Sequence, residues 1–197
     1  MPKENRSKFA LLGMLADCPM SGYDLRKHAA HSVAHFWKED YGHIYPTLKL
    51  LVDEGLATRV EEPAAAGKPG RHVYTVTDEG RDALSAWLEE MPNPPNLRIE
   101  LLLKVFFGGM AESERLAEML SAQAAACEAS LRQLRETEAL IRRAIAKGGE
   151  KGRAARFQLA TLDYGKSYYE NFAAWCRKTL EGLDAAGKTR ARKETHR

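Results

Sequence analysis

Residues 41–80 carry the clearest alternation of apolar and polar positions in the chain. They predict a helix, a strand, a glycine-containing loop, a second strand and the start of another helix. In the first helix, the apolar residues Ile44, Leu48 and Leu51 follow one another at the spacing of one helical face. We therefore expect an exposed polar surface on the same helix, formed by Tyr45, Thr47 and Lys49. This order of elements predicts a winged helix-turn-helix, whose wing is the loop between the two strands.

Capping residues mark the helices on either side of this segment. Ser21 and Asp24 have the Ser-x-x-Asp spacing of a capping box, which predicts the start of a second helix. Strands are expected at residues 58–62 and 72–76. Thr77 is followed by two acidic residues and is expected to cap a fourth helix. The fold class expected from these signals is mainly α, with one small β-hairpin.

The second half of the chain reads as a separate helical domain. Residues 92–95, Pro-Asn-Pro-Pro, cannot be helical and predict a linker. Asn96 is expected to cap an apolar helix. Two long amphipathic helices follow, and the first has a heptad seam made of Cys127, Leu131, Leu134, Glu138, Ile141 and Ile145. The apolar faces predict a dimer built with helices of a second subunit, and an intramolecular helix pair is the alternative.

Length and composition fit two small domains. A chain of 197 residues with 44% hydrophobic content divides best into a DNA-binding domain at 1–91 and a helical dimerisation domain at 96–185. The basic segment 186–197 lacks apolar periodicity and is expected to be disordered. The sequence has neither a membrane-spanning run nor a secretory signal, which predicts a cytoplasmic protein. The three cysteines are scattered, so neither a disulfide framework nor a zinc site is expected.

Charge alone does not predict DNA binding. The formal net charge is +3, but residues 1–91 carry 11 basic and 14 acidic side chains, a net charge of −3. Only local basic residues could contact phosphate, among them Lys49 on the helix and Lys68 and Arg71 in the loop. The donors at the start of the helix suit base edges and phosphates, and the candidates there are His43, Tyr45, Pro46, Thr47 and Lys49.

The sequence leaves two alternatives to DNA binding. Asp24, His28, His31 and His35 recur on one helical face, which keeps a metal-responsive regulator as an alternative, although the first and last histidines are too far apart for one tetrahedral ion. The acidic first half keeps a winged-helix protein-interaction module as another. No arrangement of residues indicates an enzyme or a cofactor. Aromatic side chains could line an effector pocket between the domains: Phe36, Trp37, Tyr168 and Trp175.

Several motifs resemble a known family. The segments FALLGMLADCPMSGYDL, HIYPTLKLLVDEGL and the GR-x-x-Y-x-V-T-x-x-G pattern at 70–80 resemble PadR transcriptional regulators. LLLKVFFGG and the last helix resemble the virulence-activator-like C-terminal domain. The resemblance implies a homodimer that binds an inverted-repeat operator in double-stranded DNA, as a repressor released by a small molecule. It also assigns DNA-contacting positions, in helix 2 (Ser21, Gly22, Tyr23), the recognition helix (Tyr45, Pro46, Thr47, Lys49) and the wing (Lys68, Arg71). His72 departs from the basic residue that is common after Arg71.

Overall fold

The computed structural model describes residues 6–37, 43–63, 70–110 and 113–194, and side chains only as far as residue 183 in the last helix. The chain divides into two compact units, Met1–Pro94 and Pro95–Arg197. This division falls within the proline-rich segment that the sequence predicts to be a linker. None of the described helices is long and apolar enough to cross a membrane.

The first unit is a winged helix-turn-helix, and its described residues form four α-helices and three strands. The helices are α1 (Ser7–Asp17), α2 (Gly22–Ser32), α3 (Ile44–Asp53) and α4 (Asp78–Glu89). The strands are β1 (Met20–Ser21), β2 (Ala57–Glu62) and β3 (Arg71–Val76). They form an antiparallel sheet in the order β1-β3-β2. The mainly helical fold and the hairpin are therefore confirmed.

Two predicted caps form as expected. The Ser21 hydroxyl accepts a hydrogen bond from the backbone N–H of Asp24, and the Asp24 carboxylate accepts one from the backbone of Ser21, which completes the capping box of α2. Thr77 accepts from the N–H of Gly80 at 3.0 Å and donates to the carbonyl of Gly55 at 2.8 Å. Gly55 has φ 75°, a left-handed conformation that favours glycine, and it ends α3. These caps fix both ends of the segment that carries α3 and the hairpin.

Strand β1 was not expected from the sequence. Its two residues pair with β3, Met20 opposite Tyr74 and Ser21 opposite Val73. Two residues are too few to show the alternation that identifies a strand. The pairing ties the start of α2 to the hairpin, because Ser21 is at once a strand residue and the N-cap of α2.

Helix α3 packs against the core of the first unit through one face. Leu12, Leu25, Leu48 and Leu51 are fully buried, and the rings of Phe9 and Trp87 stack with centroids 4.8 Å apart. Each fully buried leucine contributes about 1.5–3 kcal/mol relative to an exposed one. Helix α3 is therefore held by its apolar side, and its opposite side faces outward.

The second unit is a helical hairpin with a short helix before it. It contains α5 (Glu100–Phe106), a 3-10 turn at Gly108–Met110, α6 (Ser113–Lys147) and α7 (Gly149–Glu194). Gly148 and Gly149 both have positive φ and make the tight turn between the long helices. Leu116, Leu120, Ala124 and Cys176 form the buried centre of this unit, with Leu101, Val105 and Trp175 packed against it.

The heptad seam of α6 packs against α7 of the same chain. Cys127, Leu131 and Leu134 are buried within the monomer. At the polar position of the seam, Glu138 accepts hydrogen bonds from Lys166 of α7 at 2.6 Å and from Arg142 at 2.7 Å. These bonds lower the pKa of Glu138, and the bond to Glu138 raises the pKa of Lys166. The structure thus assigns this seam to the intramolecular pair, which the sequence left as the alternative.

Two further expectations for this unit differ from the structure. Asn96 is not a helix cap, because α5 begins at Glu100 and its N-cap residue is Ile99, which makes no capping bond. Helix α7 continues to Glu194, so the backbone of the segment expected to be disordered is helical as far as it is described. The sequence contains no proline after Pro95 to end that helix.

Candidate nucleic-acid interface

The N-terminal part of α3 presents an exposed polar surface. Tyr45 is 61% exposed, and His43, Pro46 and Lys49 are exposed around it. Thr47, however, is only 3% exposed, which corrects its placement on this surface. The reason is helical geometry, because Thr47 lies three residues after Ile44 and four before Leu51, on the face that packs into the core. A side chain buried there cannot reach DNA without displacing the core.

The start of α2 lies directly beneath Tyr45. A Cβ added to Gly22 would stand 2.6 Å from Cε1 and 3.1 Å from Cζ of the Tyr45 ring. With the Tyr45 ring in this position, only glycine fits at residue 22. Tyr23, the next residue, is 66% exposed, whereas the Ser21 side chain is buried and bonded to Asp24. Of the three positions that the resemblance assigns to phosphate contact, only Tyr23 therefore offers an exposed side chain.

Arg71 is engaged by two carboxylates at the start of β3. Its Nε donates to Glu62 at 2.8 Å and its Nη1 to Asp24 at 3.4 Å. The side chain remains 57% exposed. Hydrogen bonding to Glu62 raises the pKa of Arg71, and the Ser21 hydroxyl, with a smaller contribution from Arg71, lowers the pKa of Asp24. Arg71 thus links the wing strands to the start of α2.

The other basic candidates stand in different environments. Lys49 forms an ion pair with Asp53, one turn later on α3, at 2.9 Å, and both side chains are largely exposed. An exposed pair of this kind is worth little, so Lys49 can exchange Asp53 for phosphate. Lys68 lies outside the described residues, and its assignment to the wing stays a prediction.

A cleft of about 380 Å³ separates α3 from the hairpin; we call it the α3–hairpin cleft. It is lined by Tyr45, Lys49, Val52, Asp53, Arg59, His72 and Tyr74. Arg59 was missed by sequence reasoning. Its side chain makes no hydrogen bond or ion pair with any residue in the described ranges. The register could have indicated it, because Arg59 pairs with buried Tyr74 and lies two residues after buried Ala57, on the sheet face turned to α3.

The histidines that the sequence predicts on one face of α2 are not part of a metal-binding cluster among the described residues. Within residues 6–37, 43–63, 70–110 and 113–194, no three His, Cys, Asp or Glu side chains are close enough to hold a metal ion. His31 instead places Nδ1 2.8 Å from the carbonyl oxygen of Lys27, and the His35 ring packs edge-on against Phe36. His28 is exposed on the same helix.

The aromatic candidates for an effector pocket belong to different units. Phe36 and Trp37 are 46% and 37% exposed in the first unit. On α7, Tyr168 packs against Phe172, and Phe172 stacks on Trp175 with centroids 5.6 Å apart. Trp175 packs on the buried centre of the helical unit, so it acts there as a core residue. A pocket shared by the two units stays a prediction.

The fold and the exposed face of α3 define a winged helix-turn-helix regulator of transcription. Residues 11–86 match the transcriptional regulator PadR-like family, and residues 97–184 match the virulence activator alpha C-terminal domain. The chain is 31% identical over 128 residues to the negative transcriptional regulator PadR of Bacillus subtilis (strain 168), which covers 64% of this chain and 70% of that relative. The chain belongs to the PadR-like family, whose members are DNA-binding transcriptional regulators and not enzymes.

Solved structures agree with this assignment. Bacillus subtilis PadR in complex with operator DNA is 25% identical, with a TM-score of 0.75 over 91% of this chain and 98% of that one. The same regulator in complex with p-coumaric acid is 25% identical, with a TM-score of 0.67 over 93% and 99% of the two chains.

Proposed function

We propose that this protein is a dimeric repressor that binds an inverted-repeat operator and leaves it when a small molecule binds. The observation that carries the proposal is Tyr45, exposed at the first turn of α3 and supported from below by Gly22. Residues at that end of a recognition helix reach base edges in the major groove. The similarity to a negative transcriptional regulator supports repression as the outcome.

The proposed contacts to DNA fall into two groups. Tyr45, His43 and Pro46 stand where base edges would lie. We assign phosphate contacts to the backbone N–H of Gly22 and to the side chains of Tyr23, Lys49 and Arg71. The N–H of Ser21 is already bonded to the Asp24 carboxylate. The resemblance adds Lys68, which lies outside the described residues. Arg59 joins this second group because it is cationic, exposed and without an ion pair among the described residues. Thr47 is excluded by its burial.

Dimer formation is supported by apolar side chains that the monomer leaves uncovered. Leu103, Phe106 and Met110 are 60%, 79% and 81% exposed within nine residues of one another in sequence. Large apolar side chains left exposed this close together in sequence are candidates for an interaction site. Two subunits would also present two recognition helices, as an inverted repeat requires.

Control by a small molecule is supported by the relative that was solved with p-coumaric acid. Release of DNA requires a ligand that binds the DNA-free state more tightly than the DNA-bound state. A ligand with equal affinity for both states would leave the equilibrium between them unchanged.

The direct test is fluorescence anisotropy with DNA from upstream of the protein's own gene, against a scrambled duplex of equal length. We expect the natural fragment to bind at least tenfold more tightly at physiological salt, as specific sites generally do. Tyr45→Ala should remove most of that difference. Equal affinity for both duplexes would refute sequence-specific binding.

The acidic first unit supports one other function, a winged helix that binds protein. In residues 1–91 acidic side chains outnumber basic ones, and both Lys49 and Arg71 already pair with carboxylates. Absence of any salt-dependent DNA binding in the anisotropy assay would favour this alternative.

A further inference from the structure

The turn between α6 and α7 joins two strongly basic helix ends. Residues 142–157, which we call the basic tip, contain six basic side chains and one acidic side chain, Glu150, a net charge of +5. The whole chain has a formal net charge of +3. The basic tip is therefore more positive than the protein as a whole, and the rest of the chain is net negative.

Most of the positive charges in the basic tip have no partner. Arg142 is bonded to Glu138. The other five cations are exposed, and their side chains make no ion pair or hydrogen bond within the described ranges: Arg143, Lys147, Lys151, Arg153 and Arg156. Two pairs of these cations stand one helical turn apart, at 143 and 147 on α6 and at 153 and 156 on α7. Like charges at these spacings destabilise a helix, so the cluster costs stability.

The turn holds the two helix ends close together. Gly148 and Gly149 have φ of 71° and 68°. A Cβ added to Gly152 would stand 3.3 Å from the carbonyl oxygens of Ala144 and Ile145, so the first turn of α7 lies directly against the last turn of α6. The cations of both helix ends are therefore concentrated on one small surface. A ligand with several negative charges along its length can contact more than one of them at once.

Two exposed aromatic rings continue the basic tip along α7. Phe157 is 69% exposed and Tyr164 is 67% exposed. Phe157 follows Arg153 by four residues and precedes Tyr164 by seven, a spacing that places all three on one face of the helix. The two aromatic residues are ~10 Å apart along the helix axis, so each ring can receive a different base of one strand.

We propose that the basic tip and the adjoining face of α7 bind a single-stranded nucleic acid. Arg153, Arg156 and the other cations contact its phosphates, and Phe157 and Tyr164 stack on its bases. Arginine and lysine neutralise phosphate charge, and aromatic rings stack on bases of any sequence. A duplex or a lipid headgroup offers no free base to those two rings. The site lies wholly in the helical unit, so it does not rest on the proposed function.

The test follows binding of a fluorescein-labelled thymidine oligonucleotide of about 15 nucleotides, within the usual size of such sites, to the full-length protein. Anisotropy is measured at several salt concentrations. Arg153→Gln with Arg156→Gln should lower the salt slope by about 1.4, since each phosphate contact to a single strand contributes about 0.7. Phe157→Leu with Tyr164→Leu should weaken single-strand binding by about fivefold or more and leave binding to an unrelated duplex unchanged.

Arg132→Gln with Lys178→Gln is the matched control. Both residues are exposed cations of α6 and α7 outside the basic tip, and neither side chain has an ion pair or hydrogen bond in the described part of the chain. This pair removes the same charge and should leave single-strand affinity and the salt slope unchanged. Circular dichroism melting identifies any variant that fails to fold, and Arg143→Gln with Lys147→Gln then replaces the first tip pair.

Three results would overturn the proposal: no binding of the single strand, an equal loss in the control pair, or unchanged single-strand affinity in the aromatic pair. Phosphatidylglycerol vesicles and the unrelated duplex are the competing probes. Tighter binding to either one, lost with the tip arginines, would assign the basic tip to a membrane surface or to duplex DNA and would also overturn it. Single-strand binding through the tip, without preference for the upstream fragment over a scrambled duplex, would refute the proposed function and support this site.

Discussion

Replacing Gly22 by alanine tests whether the start of α2 positions Tyr45, the residue proposed to contact base edges. The added Cβ would lie 2.6 Å from Cε1 of the ring. An ordinary contact between such atoms is about 3.5–4.0 Å, so the ring must move by about 1 Å or leave its rotamer. The backbone N–H of residue 22 is retained, which keeps any phosphate contact made by the main chain.

The stability cost of Gly22→Ala is expected to be small. A displaced rotamer costs about 0.5–1.5 kcal/mol, and alanine recovers up to about 1 kcal/mol of helix propensity over glycine. The two nearly cancel, and Tyr45, at 61% exposure, has room to turn. DNA affinity is different, because a misplaced base contact loses about 1–3 kcal/mol of discrimination, or roughly five- to 150-fold.

The assay is a double-mutant cycle in operator affinity, with Gly22→Ala, Tyr45→Ala and the double variant. We expect the two single losses to be similar and the double variant to be no worse than Tyr45→Ala. Gly13→Ala is the control, because a Cβ at Gly13 of α1 would meet nothing within 4 Å. Additive losses, or wild-type affinity for Gly22→Ala, would refute the positioning role.

Three other predictions follow from described contacts. Lys49→Ala should weaken binding to all DNA sequences and lower the salt slope by about one, measured by anisotropy at several salt concentrations; an unchanged slope contradicts a phosphate contact. Glu138→Gln should lower the melting temperature at pH 7. That difference should vanish in acid, because the lowered pKa of Glu138 gives a stabilisation that is present above the ordinary glutamate pKa and lost as pH falls through the folded value. Phe106→Ser should convert a dimer into monomer by light scattering, and a variant that stays dimeric excludes this surface.

Local signals in the sequence were sufficient for much of the fold. The capping box at Ser21 and the cap at Thr77 need only residues three positions apart, and both formed. The polarity of Thr47 predicts an exposed side chain, but its position relative to Ile44 and Leu51 puts it on the buried face of α3. Threonine is small and carries a single hydroxyl, so it can be buried at a position where a larger polar residue would not fit.

Features that depend on distant residues were less predictable. Strand β1 exists only because β3, more than fifty residues later, offers it a partner. The apolar seam of α6 indicates a helical partner without saying which chain supplies it, and the tight turn at Gly148 brings α7 back onto it. The sequence does not single out Arg59, because an arginine becomes a candidate for phosphate contact only when its surroundings show that its side chain has no ion pair among the described residues.

If Lys49 and Arg71 contact DNA as proposed, the carboxylates beside them make operator binding an exchange reaction. A phosphate that takes either cation leaves Asp53, or Glu62 together with Asp24, with negative charge that the solution must neutralise. Cations released from DNA are then partly taken up again by the protein. The number of basic residues at the interface therefore overstates how strongly salt opposes binding, and Arg59, which carries no such carboxylate, should account for more of the ionic-strength dependence than either paired residue.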